Sequence, residues 1–468
     1  MRWFAIVLVA CQAAAPVHFV AQPADLAIVD TTVIDVMVGR EVPHQTIVVR
    51  GDRIVAVDAA GEIELPPGVV RVDGRGRYLM PGLFDMHVHL NREHDLGLLL
   101  AAGVTSVRNM AGDARHLEWR AQIAAGKRAG PTIRTAGQVL DGNPPYYPYE
   151  RIVTTAAEGE RAVEDTVRDG YDFVKLCDHL TVDAYDAIVA AAARAHIQVI
   201  GHAPMKVPLE HVLASGQRTI EHLTGYVRAS LRPGTQFAPN LDPEAFGRAI
   251  DAAVDPQRLA ALAQATARAR TANCATLAVH DREQRMDDLE AIARDTPWSD
   301  FVEPEVKANW AQRRNTPEQA RGVRAEYAIR ERIVRALATA GAPLLVGSDA
   351  GNPYVIPGPS LHREIELLVA AGVDRTRVLR AATADAATAL GLDAGVIAVG
   401  RRADLVLATA SPLAGPIAIP PVGVYHGGTW RDHAALVALR VLARTERSPS
   451  AAMPREDGAV RTAPSALA

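Results

Sequence analysis

Pro81-Gly82-Leu83-Phe84-Asp85-Met86-His87-Val88-His89-Leu90 is a short apolar stretch that ends in two histidines. On a β-strand, residues i and i+2 share a face. His87 and His89 therefore project to one side at the end of a buried strand. Two imidazoles on one face begin a site for Zn2+ or a similar ion. His-x-His alone is a weak signal, so its reading depends on how the following strands end.

Between about 81 and 390, short apolar strands alternate with Ala-rich helical stretches. Candidate strands begin near Leu83, Val104, Thr132, Tyr171, Ile197, Thr219, Asn273 and Pro343. This is the count of a parallel (β/α)8 TIM barrel, an α/β fold. Phe173-Val174-Lys175-Leu176 sets a Lys inside an apolar strand. Val199-Ile200-Gly201-His202 and Thr219-Ile220-Glu221-His222 each end in His, and Leu344-Leu345-Val346-Gly347-Ser348-Asp349 ends in Asp. Each polar residue falls at the C-terminal end of its strand, the active face of this architecture. Long insertions around 224–268 and 280–330 follow strands that end on that face and are candidates for substrate-shaping loops.

Lys175 is the most informative of these residues. Only four of the 50 basic residues are Lys, at 127, 175, 206 and 307. A chain that favours Arg so heavily still has Lys in a buried strand. An uncompensated buried ammonium is costly. An amine can lose its proton when desolvated, whereas a guanidinium essentially cannot. The neutral amine can add CO2 to become a carbamate, an anionic oxygen ligand able to bridge two cations. An ion pair with Asp178 is the alternative.

The termini have a different character. Short β-branched segments over 24–80 and again over 391–440, including Gly395–Gly400, Ala403–Ala408 and Val422–His426, predict one β-sandwich module assembled from both ends. The barrel then spans 81–390, and 441–468, rich in Ser, Pro and Ala toward its end, reads as a disordered tail. Residues 1–23 read as a leader: Arg2, an apolar Trp3–Ala10 stretch, and Leu8-Val9-Ala10-Cys11, which resembles a lipobox with Cys11 as the lipidated residue. Export to the periplasm or as a membrane-anchored lipoprotein follows, with an uncleaved arm on a cytoplasmic protein as the alternative. Cys177 and Cys274 read as small buried hydrophobes rather than a disulfide framework. A net charge of −4 gives no sign of nucleic-acid binding, and a membrane enters only through the lipid anchor.

The set Pro81-Gly82-Leu83 leading to His87-x-His89, then Lys175, Gly201-His202, Glu221-His222 and Gly347-Ser348-Asp349, resembles the amidohydrolase superfamily. Gly395-x-Ile397-x-x-Gly400-x-x-Ala403-Asp404-Leu405-Val406 resembles its C-terminal return to the β-sandwich. The resemblance covers about 24–440. It implies two divalent metal ions, taken as Zn2+, with His87, His89 and Asp349 at the more buried ion and His202 and His222 at the more exposed one. Carboxylated Lys175 and a hydroxide would bridge them. A Lys on the fourth strand is similar to the binuclear branch, which includes prolidase-like and Xaa-Arg-type dipeptidases and carboxypeptidases. Imidazolonepropionase-like sequences are also near, although mononuclear members lack this Lys. Two departures stand out: Arg108-Asn109-Met110 replaces an Arg-Asp pair, and His426 occupies a usually apolar final strand.

The implied activity is hydrolysis of a C–N bond in a small amide, a dipeptide or N-acyl amino acid, by hydroxide attack with Asp349 shuttling the proton. Tyr226, on the loop after the sixth strand, and His280, beyond the seventh, are candidate substrate contacts. His94, His116, His179, His196, His211 and His362 fit no such pattern. Competing readings are a mononuclear cyclic-amide hydrolase or deaminase, a lactonase, a phosphotriesterase, and a non-catalytic scaffold on the same fold. A homo-oligomer is compatible with all of them.

Overall fold

The computed structural model describes residues 19–238 and 241–445. Eight parallel strands lie where the sequence sets them: Leu83–Val88, Val104–Asn109, Thr132–Thr135, Phe173–Leu176, Gln198–Gly201, Thr219–Glu221, Ala272–Cys274 and Leu344–Leu345. They form three sheets, and backbone hydrogen bonds run between these. Asp172 N donates to Thr135 O (2.8 Å), Arg218 N to Val199 O (2.8 Å), and Met86 N to Val346 O (2.9 Å). The last of these ties the eighth segment back to the first. The fold is TIM-barrel-like α/β.

A helix follows each strand, and the cause is local. Thr155 with Glu158, and Thr316 with Gln319, form capping boxes at the starts of helices Ala156–Arg168 and Pro317–Thr339. Inside the ring, Phe84, Met86, Met110, Ala136, Phe173, Ile200, Cys274 and Leu345 form one apolar cluster, joined by Ala386, Ala387 and Leu390. That cluster fills the interior and leaves the strand ends as the place where polar groups gather. The expected insertions are only partly extra chain. Helices Pro256–Ala269 and Pro317–Thr339 are the barrel's own, while Pro243–Ala253, Leu277–Glu283, Leu289–Asp295 and Pro304–Ala311 are additions.

The terminal segments share one eight-stranded sheet, in which Leu26–Asp35 pairs with Arg40–Arg50 on one side and with Val70–Asp73 and Tyr78–Pro81 on the other. Leu405–Ala408 joins Tyr78–Pro81 antiparallel and carries Gly423–His426 and Thr429–Asp432. Hydrogen bonding thus makes one branched sheet where two packed sheets are expected. Gly395–Gly400 is not a strand, because Gly395 and Gly400 have φ of +83° and +87°, outside the extended region. Cys11 and most of the expected leader lie outside the described residues. The last leader residues pack on the β-module, since Ala21 N donates to Glu64 O and Glu64 N to Phe19 O. The helix His433–Thr445 takes up the first five residues of the segment expected to be disordered; 446–468 lie outside the described residues. Among the described residues, no helix is long and apolar enough to cross a membrane.

His426 has a structural explanation. Its Nδ1 lies 2.6 Å from Asp404 Oδ1, and Arg402 Nε donates to Asp404 Oδ2 at 2.6 Å. The buried carboxylate joins an imidazole and a guanidinium. Replacing Asp404 by Ala leaves the guanidinium without its counter-charge and the imidazole without its hydrogen-bond partner. The Asp404→Ala protein is expected to lose about 3 kcal/mol of unfolding free energy, read by urea denaturation, and a loss below about 1 kcal/mol would contradict this role.

Candidate metal centre

The sequence motifs converge at the C-terminal ends of the barrel strands. His87 Nε2 and His89 Nε2 lie 3.5 and 3.3 Å from Asp349 Oδ1. The His222 ring is centred 4.5 Å from His87 and 5.0 Å from His202, so the four imidazoles form one continuous group. Lys175 is 3% exposed. Its side chain packs against Gly201, where an added Cβ would fall 2.9 Å from Lys175 Cδ, and it lies within electrostatic range of His87, His222, Glu221 and Asp349. The alternative ion pair with Asp178 is not formed within 4 Å; Asp178 Oδ1 instead sits 2.7 Å from His202 Nδ1.

Local backbone explains two placements that strand alternation alone would miss. Phe84 and Met86 point into the barrel, so strict alternation would turn His87 outward. Pairing with the second strand slips between Asp85 and Val88, and His87 reaches the centre. Glu221 and His222 are adjacent, yet both face the site, because His222 has φ of +58°. Asp349 (φ +59°) and Thr276 (φ +49°) are also left-handed. Such conformations cost on the order of 1–3 kcal/mol each and concentrate where function needs them. Gly201, at φ +121°, is required: a Cβ there would lie 2.3 Å from Leu176 O and 2.9 Å from Lys175 Cδ.

Side-chain partners fix three of the four rings. His87 Nδ1 lies 2.8 Å from Glu221 Oε2, and Arg108 Nη2 donates to Glu221 Oε1 at 2.8 Å. His202 is held by Asp178 and His222 by Thr276 Oγ1 at 2.7 Å. These contacts leave Nε2 of each ring available to a cation. Glu221 and Asp178 stand next to strand-end motifs and Arg108 marks a departure from the resemblance, but the sequence does not show their contacts with the imidazoles, and Thr276 carries no signal. Arg108 spans the barrel interior, and its neighbour Asn109 accepts from Leu90 N (3.0 Å) and donates to Ala111 O (2.9 Å), shaping the first loop rather than the site.

Protonation follows from burial and charge. Burial drives His87 down to about 4, against the pull of Asp349, and pushes His222 well below its ordinary value. Burial would raise Asp349, but His87 and His89 bring it to about 2. Burial would likewise raise Glu221, yet Arg108 and His87 hold it below the usual carboxylate range. Neutral imidazoles and an ionised carboxylate are the forms that ligate metals. His87 Nε2 and Asp349 Oδ1 are buried and have no hydrogen-bond partner, and His87, His89 and Asp349 offer ligand atoms within 4.8 Å of one another. The donors present fit a divalent cation.

The two substrate-contact candidates separate. Tyr226 is fully buried, with its hydroxyl 2.7 Å from Thr266 Oγ1 and accepting from Asn273 Nδ2 at 3.2 Å. It packs between strand and helix behind the barrel wall, which corrects the expectation of a substrate contact. His280 stays at the site: its ring lies 6.3 Å from His222, Nδ1 is 2.7 Å from Glu283 Oε2, and buried Nε2 has no partner.

Residues 78–423 match the model of the Amidohydrolase family. The chain belongs to the amidohydrolase family. Among solved structures, bottromycin amidohydrolase is 29% identical, with a TM-score of 0.72 and 91% of each chain covered. A Bifidobacterium longum structure assigned as a prolidase is 25% identical, with a TM-score of 0.64, covering 90% of this chain and 98% of that one. A Xaa-Pro dipeptidase shares the fold at 18% identity and a TM-score of 0.65, covering 87% of this chain and all of that one. An adenine deaminase of Rubrobacter xylanophilus is 37% identical over 68 residues, which span 14% of this chain and 11% of that protein. The amidohydrolase assignment, with prolidase-like neighbours, supports a metal-dependent hydrolase acting on carbon–nitrogen bonds.

Asp178 orients His202 without being counted among the ligands. Asp178→Asn is expected to weaken divalent-cation binding that involves His202 about tenfold or more, measured by chelator competition. Unchanged affinity in a normally folded variant would show that the His202–Asp178 contact has no part in the site.

Proposed function

We propose that this amidohydrolase cleaves the C–N bond of a small amide, a dipeptide or N-acyl amino acid, on a closed (β/α)8 barrel with a binuclear centre. The observation that carries the reading is the pair of buried, unpartnered ligand atoms, His87 Nε2 and Asp349 Oδ1, at the head of a continuous group of four imidazoles. In this reading His87, His89 and Asp349 would hold one cation, His202 and His222 another, and Lys175, carboxylated on its buried amine, would add an anionic oxygen donor. Zn2+ is the proposed metal. Such cations would supply Lewis-acid chemistry, lowering the pKa of a bound water and polarising the scissile carbonyl.

The remaining chemistry belongs to side chains. Asp349, ionised at neutral pH, accepts the proton of the attacking water and returns it to the departing nitrogen. His280 Nε2, buried and unpartnered, offers the substrate a hydrogen bond. Arg330 Nη1 donates to His222 O at 2.5 Å and holds that left-handed turn in place. The names of the bottromycin amidohydrolase, the prolidase and the Xaa-Pro dipeptidase support a peptide-like amide. The short adenine deaminase match favours a second reading, a mononuclear deaminase or cyclic-amide hydrolase; a buried lysine amine within electrostatic range of His87 and His222 argues for the binuclear one. Export with lipidation at Cys11 belongs to the same proposal and rests on the N-terminal sequence alone.

A panel of dipeptides and N-acyl amino acids, offered to the metal-reconstituted protein, tests the substrate class. Asp349→Asn is expected to reduce turnover about 10^2- to 10^4-fold with circular dichroism unchanged; near-normal turnover would refute the proton-transfer role. Lys175→Ala is expected to lower bound metal, with partial recovery on adding short-chain carboxylates. Full occupancy in that variant would rule out a bridging carbamate.

A further inference from the structure

The loop after the third barrel strand carries Pro144-Pro145-Tyr146-Tyr147-Pro148-Tyr149, a run that the metal centre does not use. Its rings form a cluster. Tyr147 and Tyr149 stack with centroids 5.2 Å apart and planes 9° apart, and Tyr146 meets Tyr147 edge-on at 4.7 Å. Tyr146 is 57% exposed and Tyr149 36%. Contiguous apolar surface left exposed and rimmed by polar groups marks interaction sites.

The loop is clamped, and the clamp is shared with the metal centre. Tyr146 N donates to buried Asp141 Oδ2 (2.8 Å) and Tyr147 N to buried Glu150 Oε2 (2.9 Å); Gln138 Nε2 donates to Tyr149 O (2.8 Å). Asp141 Oδ1 also accepts from His179 N at 2.6 Å. The Cys177 sulfur lies within 4.8 Å of carboxylate oxygens of Glu150 and Asp141 and 3.8 Å from His202 Nδ1. Residues 177–179 therefore anchor the tyrosine loop on one side and orient a metal-site histidine on the other. Met205, 41% exposed on the loop after the fifth strand, is tied to the same rim by its N–H to Asp178 O (2.8 Å).

We propose that Tyr146, Tyr147 and Tyr149 form a specificity subsite that receives an aromatic side chain of the amide substrate. The inference rests on the hydrolase reading above and adds the substrate class. A flat ring extends an existing offset stack without reordering the loop, because the backbone is already fixed by two buried carboxylates. An aliphatic side chain gains the contact area but not the ring geometry.

The test compares N-acetyl-L-phenylalanine with N-acetyl-L-alanine on the metal-loaded full chain, with and without the paired substitution Tyr146→Ala and Tyr149→Ala. The wild-type protein is expected to prefer the phenylalanine compound, and the variant to lose about tenfold of that preference, with the change in KM rather than kcat. Isothermal titration calorimetry of the same compounds reads the subsite without turnover. A preference lost in binding, with no hydrolysis of either compound, would keep the subsite and refute the proposed reaction. No wild-type preference, or an equal preference in the variant, would overturn the subsite. So would a loss of self-association in the variant, seen by sedimentation, with binding unchanged, since the rings would then serve a contact between copies of the chain.

Discussion

A carboxylate with no exposed surface must have its charge balanced where it stands, and Glu221 is balanced by Arg108 on one oxygen and His87 on the other. Arg108 in turn donates to Met86 O and Thr219 Oγ1, so one guanidinium joins the first, second and sixth strands through the barrel interior. The arrangement fixes the tautomer of His87 with Nδ1 toward Glu221, and Nε2 is left facing Asp349. Loss of this relay would strand either a buried cation or a buried anion. The metal centre is thus a consequence of how the barrel neutralises its own interior.

Backbone strain and small residues complete what the charges begin. Consecutive residues on a strand point to opposite faces, yet Glu221 and His222 both face the site, and His87 turns inward although its neighbour Met86 already does. A left-handed turn at His222 and a slipped register at the first strand account for both. Asp349 and Thr276 take the same unfavourable conformation around the same point. Backbone hydrogen bonds from Asp349 N to His87 O and from His222 N to Cys274 O hold the strained residues in place.

Much of this was legible in the sequence because barrel strands put their chemistry at one end. Each strand of the barrel began within two residues of its expected start, and Lys175 stood out as a rare Lys in an Arg-rich chain. The holders of the imidazoles were hidden because they are contacts between distant segments: Arg108 with Glu221, Thr276 with His222. Tyr226 misled because a tyrosine four residues past His222 reads as a loop residue, whereas a short helix, Tyr226–Ser230, turns it behind the strands. The glycines at 395 and 400 sat in an apolar run whose alternation resembled a strand, and their positive φ overrode it. The tyrosine loop at 144–149 matched no ligand pattern, and its importance emerges only from the buried carboxylates beneath it.

Elemental analysis of the purified chain, reconstituted with Zn2+ in bicarbonate buffer and freed of loose metal, tests the central claim most directly. The account expects two ions per chain, together with a 13C resonance of a lysine carbamate when the bicarbonate is labelled. A single ion per chain at saturating metal, with no carbamate resonance, would contradict it.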